Sequence, residues 1–286
     1  MKVSALGEFG LVERLGKLIE KYGDGTDARQ KLIIGIGDDT AVWQGDDSIQ
    51  LATVDALVEG VHFQKKWQEP HLLGRKSLNV NISDLAAMGG EPRCAFLSLG
   101  LKANTPVKEV ETFLSGFAQA AREHGMAVAG GDLSASPGPM IISVAVIGRA
   151  ERPILRSGAR PGDMLYVTGT LGDAGLALKY VMKRGQIPGG RNFKHLLYRL
   201  VNPQARVAEG RRVSQYASAM IDLSDGLAVD LNNLCRESGV GAKVEMKAIP
   251  LSEAYRFTKG RAGQKKWKSL YHEAIYGGED YELLFV

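Results

Sequence analysis

Apolar residues along the chain fall into two patterns: short runs that stop at Gly and Asp, and longer stretches in which they recur every three or four positions. The short runs cover 32–38, 49–55, 126–132 and 219–222, strand-like in length and composition, and each would deliver carboxylates at its carboxyl end. Between them, 74–88 sets Leu78, Ile82 and Leu85 at helical spacing with Ser77, Asn81 and Asp84 on another side. Likewise, 107–124 aligns Val110, Phe113, Leu114 and Phe117, and an amphipathic stretch near the start groups Phe9, Val12, Leu15, Leu18 and Ile19. Strict alternation returns over 141–147, followed by a segment rich in Arg, Pro and Gly over 149–162. The second half restarts with a strand over 164–168, a Gly-rich turn and a helix from about 175 to 183. The expectation is an α+β chain of mixed α/β character with two domains, 1–149 and 150–286. Because 281–286 reads as a strand without a closing turn, the second domain is expected to be truncated at its C-terminal end.

Composition narrows the class. A chain of 286 residues with 44% hydrophobic and 24% charged residues suits two globular domains rather than a disordered segment. The net charge of +4 is too mild to predict nucleic-acid binding. The densest basic segment, 259–268, surrounds Trp267 with Lys259, Arg261, Lys265, Lys266 and Lys268 and reads as a solvated loop. Cys94 and Cys235 form no metal or disulfide pattern, which fits a reducing, cytoplasmic compartment. Neither a signal-peptide pattern nor an apolar run of membrane-spanning length occurs, so no membrane partner is expected.

The chemistry lies in aspartates beside glycines. Glycine is abundant, 35 of 286 residues, and clusters next to Asp38, Asp39, Asp55, Asp84, Asp132, Asp222 and Asp225. Carboxylates gathered in one partly buried site repel by several kcal/mol unless cations neutralise them, and an oxygen-only set suits Mg²⁺ or Mn²⁺. Such a cluster beside Gly-rich turns is a common setting for a nucleotide, and phosphoryl transfer needs little beyond positioning and charge neutralisation. Each residue also has a plain structural reading. Ser224 or Asp225 could cap the helix that follows, and Asp38, Asp46 and Asp163 could be turn residues. The P-loop, dinucleotide, nucleophile-elbow, zincin and protein-kinase signatures are absent, and the GTLGDAG turn at 169–175 is a weak phosphate signal. His62, just after the Asp55 strand, is the histidine placed nearest the site.

Taken together, GEFGLVERL, IGIGDDTAV, TVDALVEGVHF, NVNISDLAAMGGEPRCAFLSLGL, GGDLS, LRSGARPGDMLYVTGTLGDAG, IDLSDGLAVDL and GGEDYELLF, running in order from Gly7 to Phe285, resemble the thiamine-monophosphate kinase family. That family shares an ATP-binding superfamily with aminoimidazole ribonucleotide synthetase, selenophosphate synthetase and a hydrogenase-maturation dehydratase. The resemblance implies ATP-dependent phosphorylation of thiamine monophosphate to thiamine diphosphate by direct transfer of the γ-phosphate. It also implies an N-terminal α/β domain that forms a homodimer and a C-terminal α+β domain over the nucleotide. By this resemblance Asp39, Asp55, Asp84, Asp132, Asp222 and Asp225 are Mg²⁺ ligands, assisted by Thr53 and the backbone of Val54. Gly131, Asp132, Arg156 and Ser224 contact ATP; His62 and Glu279 contact substrate. Asp39, Asp55, Asp132, Arg156 and Asp222 would carry the catalysis.

Departures from the family pattern are Val54 in place of a hydroxyl residue, Arg199-Leu-Val-Asn-Pro without the usual His, and a shortened GDAGLAL turn. Aromatic residues that the family adds to its substrate pocket would lie past Val286. The competing readings are an aminoimidazole ribonucleotide synthetase-like enzyme on the same Asp-rich ATP site, and a nucleotide-binding module without turnover.

Overall fold

The computed structural model describes residues 32–34, 38–45, 48–184, 189–261 and 270–286. The amphipathic N-terminal stretch and most of the basic segment lie outside them. The first domain is a six-stranded sheet in the order β1-β2-β3-β6-β4-β5, built from β1 (Leu32–Ile34), β2 (Ala41–Gln44), β3 (Ile49–Val58), β4 (Glu91–Leu101), β5 (Ala127–Ala135) and β6 (Ile141–Ala150). All neighbours are antiparallel except β4 and β5, which are parallel and joined through helix α2 (Val107–Glu123). Helix α1 (Pro70–Ala87) connects β3 to β4 and packs on α2 and on the same sheet. The two helices meet at backbone distance, because a Cβ on Gly74 would sit 2.0 Å from the Phe113 carbonyl oxygen and one on Gly116 1.9 Å from that of His71.

The alternating pattern read over 141–147 becomes a one-sided strand. Ile142, Val144 and Val146 are buried toward the helices with Leu51, Leu57, Leu97 and Leu99. The opposite face stays open and carries Val54, Phe96 and Ile141. Strands β3 and β5 both run on past their aspartates, so Asp55 and Asp132 stand inside strands rather than at the carboxyl ends expected from sequence.

The second domain holds a three-stranded sheet in the order β7-β9-β8, from β7 (Tyr166–Val167), β8 (Met220–Asp222) and β9 (Leu283–Phe285). Around it lie α3 (Asp173–Arg184), α4 (Arg191–Val201), α5 (Val207–Val213), α6 (Leu227–Ser238), α7 (Glu253–Arg261) and α8 (His272–Tyr276). Lys259 departs from the solvated loop expected for it: it is 3% exposed and its ammonium meets the Glu273 carboxylate, which Lys179 also reaches. One contiguous apolar core runs from the first domain into the second.

Helix α1 forms the seam between them. Its polar side, which the sequence pattern places away from the core, is buried as well, because the second domain covers it. Arg75 Nε donates to Asn202 Oδ1, Lys76 Nζ to the Leu200 carbonyl, Asn79 Nδ2 to the Pro203 carbonyl and Ser83 Oγ to Asp222 Oδ2. Buried polar groups are tolerated only when paired, and these pairs join the two domains.

Candidate active site

Three elements converge on one cluster of carboxylates. The turn before β2 supplies Asp39, the last turn of α1 supplies Asp84 and the end of β8 supplies Asp222, with ligand oxygens all within 4.8 Å of one another. Thr53 and Asp55 sit two residues apart on the helix side of β3. Thr53 Oγ1 donates to Asp84 Oδ2 at 2.6 Å, and the Asp55 amide donates to Asn81 Oδ1 at 2.9 Å. Ser83 holds Asp222 at 2.7 Å. Helical periodicity explains the convergence, since Asn81 and Asp84 lie three apart on α1 and face β3 together.

The electrostatics are those of crowded negative charge. Burial, and then the charges of Asp222, Asp55 and Asp39, push the Asp84 carboxyl well above the ordinary carboxylate range. Burial and the Asp39 charge do the same to Asp222. Asp38 rises to about 6 through burial and the adjacent Asp39, despite accepting from the amides of Asp39 and Arg156. Among the described residues one side-chain cation answers this cluster. Arg156 forks onto Asp39 through Nε at 3.1 Å and Nη2 at 2.9 Å, and although burial works against its charge, Asp39 holds its pKa above the usual value. An oxygen-only donor set this compact, with Thr40 Oγ1 buried and unpartnered alongside Asp39, fits a hard divalent cation.

The structure separates the remaining sequence-predicted residues. Asp132 lies beside Ser98, Ser143 and Ala56 in register, on the open face of the sheet and three strands from β3, about 14 Å away. Within one chain it and Gly131 are therefore apart from the cluster. Val54 also points to that open face, 65% exposed. His62 is exposed after β3 and its Nδ1 accepts from the Val58 amide. The capping reading of Ser224 and Asp225 does not hold, since Gly226 occupies the N-cap of α6 at φ 106 with no side-chain cap. Instead Asp230 Oδ2 accepts from the amides of Asp225 and Gly226, ordering the loop, and burial with the Asp225 charge raises Asp230 to about 7. Asp163 is the turn residue expected, accepting from the Arg160 amide.

Glu279 lies beside this loop, its amide bonded to the Ser224 carbonyl at 2.8 Å and its carboxylate 2.6 Å from Lys76 Nζ. Sequence reasoning missed Lys76, Asn81, Ser83 and Asp230. Of these, only the polar spacing along α1 gave a signal in advance.

Comparison with known proteins gives the family of the chain. Residues 37–150 match the family model of the AIR synthase related protein N-terminal domain, and residues 160–275 match its C-terminal counterpart. The chain is 38% identical over 288 aligned residues to the thiamine-monophosphate kinase of Aquifex aeolicus, covering 100% of this chain and 87% of that one. The chain belongs to the thiamine-monophosphate kinase family. The corresponding protein of Escherichia coli K12 is 34% identical, over 98% of this chain and 82% of the relative. Among solved structures, AaThiL complexed with AMPPCP and TMP superposes with a TM-score of 0.89 at 35% identity, covering all of this chain and 86% of that one. The hydrogenase maturation protein HypE in complex with ATP, 18% identical over 95% of this chain and 77% of that one with a TM-score of 0.63, shares the fold. As a member of this family the chain is a kinase with the two-domain α+β fold, and among the described residues no helix is long and apolar enough to cross a membrane.

Proposed function

We propose that this kinase transfers the γ-phosphoryl group of ATP directly to thiamine monophosphate. A terminal phosphate oxygen of the substrate bonds to the γ-phosphorus as its bond to the β-phosphate oxygen breaks, yielding thiamine diphosphate and ADP without a phosphoenzyme. The observation that carries this reading is the meeting of Asp39, Asp84 and Asp222, beside Thr53, Asp55 and Arg156, where the two domains join. Mg²⁺ held by these carboxylates, with Asp225 and the Val54 carbonyl, would supply neutralisation of phosphate charge. Arg156 is placed to add fixed positive charge at the phosphates. The Gly226 turn that opens α6 leaves Ser224 beside Glu279 at the substrate end.

The reading includes a homodimer. Strand β5 is an exposed sheet edge, and the open face beside it carries Val54 and Phe96 exposed. A second copy on this face is the route by which Asp132 of the partner subunit, with its neighbouring Gly, reaches the Val54 side of β3. His62 contacts substrate from the turn after the same strand.

The test is Mg²⁺-dependent formation of thiamine diphosphate from ATP and thiamine monophosphate, with thiamine and formylglycinamidine ribonucleotide in parallel. Product from thiamine monophosphate alone is expected. ADP release only with the ribonucleotide would move the chain to the aminoimidazole ribonucleotide synthetase branch, and ATP binding without turnover of any acceptor would make it a binding module.

A further inference from the structure

Lys76 lies mid-way along α1 with its side chain fully buried. A buried ammonium is costly unless it is paired and hydrogen-bonded. Both partners of Lys76 come from the second domain: Glu279 Oε2 at 2.6 Å and the Leu200 carbonyl at 3.1 Å. Arg75 and Asn79 also cross the seam, but they end on Asn202 and Pro203, in the turn after α4. Of the three, Lys76 ends on a residue whose amide bonds Ser224, in the loop that follows Asp222.

Glu279 is held in an unusual way. It and Tyr281 are the non-glycine residues with positive φ among those described, at 72° and 50°. Such backbone costs about 1–2 kcal/mol per residue and persists where its surroundings fix it. Here the fixing is visible: the Glu279 amide bonds Ser224, the Tyr281 amide bonds Leu223, and a Cβ on Gly278 would meet the Ser224 carbonyl oxygen at 2.3 Å. The Glu279 side chain keeps 22% of its exposure. Its Oε2 is taken by Lys76, while among the described residues Oε1 accepts no hydrogen bond. For stability alone, an apolar pair of similar volume would serve as well as this ion pair. What the pair provides in addition is orientation.

We propose that Lys76 is a positioning residue for the kinase reaction, fixing Oε2 of Glu279 across the domain seam so that Oε1 is presented to a donor group of the phosphate-acceptor substrate. The part about substrate rests on the function proposed above; the part about fixing Glu279 does not. Because the ammonium belongs to one domain and the carboxylate to the other, the acceptor pocket is set only when the domains are docked.

The experiment compares the full chain with Lys76→Met, Lys76→Arg, Glu279→Gln and the Lys76→Met/Glu279→Gln double variant. It reads KM for each substrate, kcat, and amide hydrogen exchange of residues 277–281. Lys76→Met is expected to raise KM for thiamine monophosphate at least tenfold with KM for ATP within twofold, and to speed exchange over 277–281. Lys76→Arg should recover most of the loss, and the double variant should be no worse than the worse single one. Equal changes in both KM values, multiplied effects in the double variant, or unchanged exchange at 277–281 would overturn the proposal. Should Lys76→Met fail to fold, Lys76→Gln, which keeps a donor for Leu200 but lacks the charge, must show the same substrate-selective defect. If the wild-type chain turns over no thiamine monophosphate, the substrate reading fails by itself, and the exchange data still decide whether Lys76 fixes Glu279.

Discussion

Replacing Arg156 by Gln removes the side-chain cation that, among the described residues, forks onto the carboxylate cluster. Its side chain is 20% exposed against 0% for Asp39, so the pair is largely shielded from solvent. Two unit charges about 4 Å apart at an effective dielectric of about 20 interact by ~4 kcal/mol, and removing one partner of a buried pair costs about 3–5 kcal/mol. The glutamine leaves Asp39 facing Asp84 and Asp222 with that charge uncompensated. Urea unfolding at neutral pH in EDTA should therefore show Arg156→Gln less stable than wild type by about 3–5 kcal/mol.

Magnesium should then restore more stability to the variant than to wild type. Both Asp39 oxygens accept from Arg156, and a cation bound to Asp39 must share them or displace the fork. A tenfold gain in Mg²⁺ affinity would appear as ~1.4 kcal/mol of added stabilisation at saturation. Equal stability of the two proteins in EDTA, or a smaller Mg²⁺-dependent gain in the variant, would refute this account of Asp39 and Arg156. Turnover would fall in either case, which is why stability is the deciding measurement.

Asp222→Asn should abolish most turnover while raising stability in EDTA, since it removes a buried charge that also repels Asp39 and keeps an acceptor for Ser83; a destabilised variant would show that the buried Asp222 charge carries no cost. Asp230 has a folded pKa near 7 against 3.8 for the free group. The protonated acid is thus favoured in the folded state, and its stabilisation, complete below about 4, is lost as pH rises through about 7. Asp230→Asn should flatten the stability profile between those limits, and an unchanged slope in a pH series of urea melts would remove Asp230 from the explanation. Gly278→Ala brings a Cβ to 2.3 Å from the Ser224 carbonyl oxygen, so a loss of about 1–3 kcal/mol together with weaker acceptor binding is expected by thermal unfolding and kinetics; wild-type values would mean that the loop yields at no cost.

Much of the fold was legible because local periodicity carries it. The helical stripe over 107–124 became α2 and the alternation over 141–147 became β6. Boundaries were less legible at α1, which begins at Pro70, four residues before the apolar stripe marks it. The aspartates were legible as a group, since recurrence beside glycine is written in the chain, but not as a geometry. Sequence treated Asp132 like Asp84, whereas strand register sets it on the opposite face of the sheet from the Thr53 and Asp55 side chains.

The sequence by itself determined element types, the two-domain α+β class and, through its long motifs, the family. Tertiary structure alone decided which carboxylates meet. Asp39, Asp84 and Asp222 are separated by tens of residues or more along the chain and joined only when α1 is clamped between the sheet and the second domain. It also decided that the polar side of α1 faces a partner domain rather than water. Periodicity reports which residues share a face of a helix, but what covers that face depends on long-range packing, which a local pattern does not encode. Lys76 looks like any surface lysine in the chain, and the second domain makes it a buried charge with one carboxylate to hold.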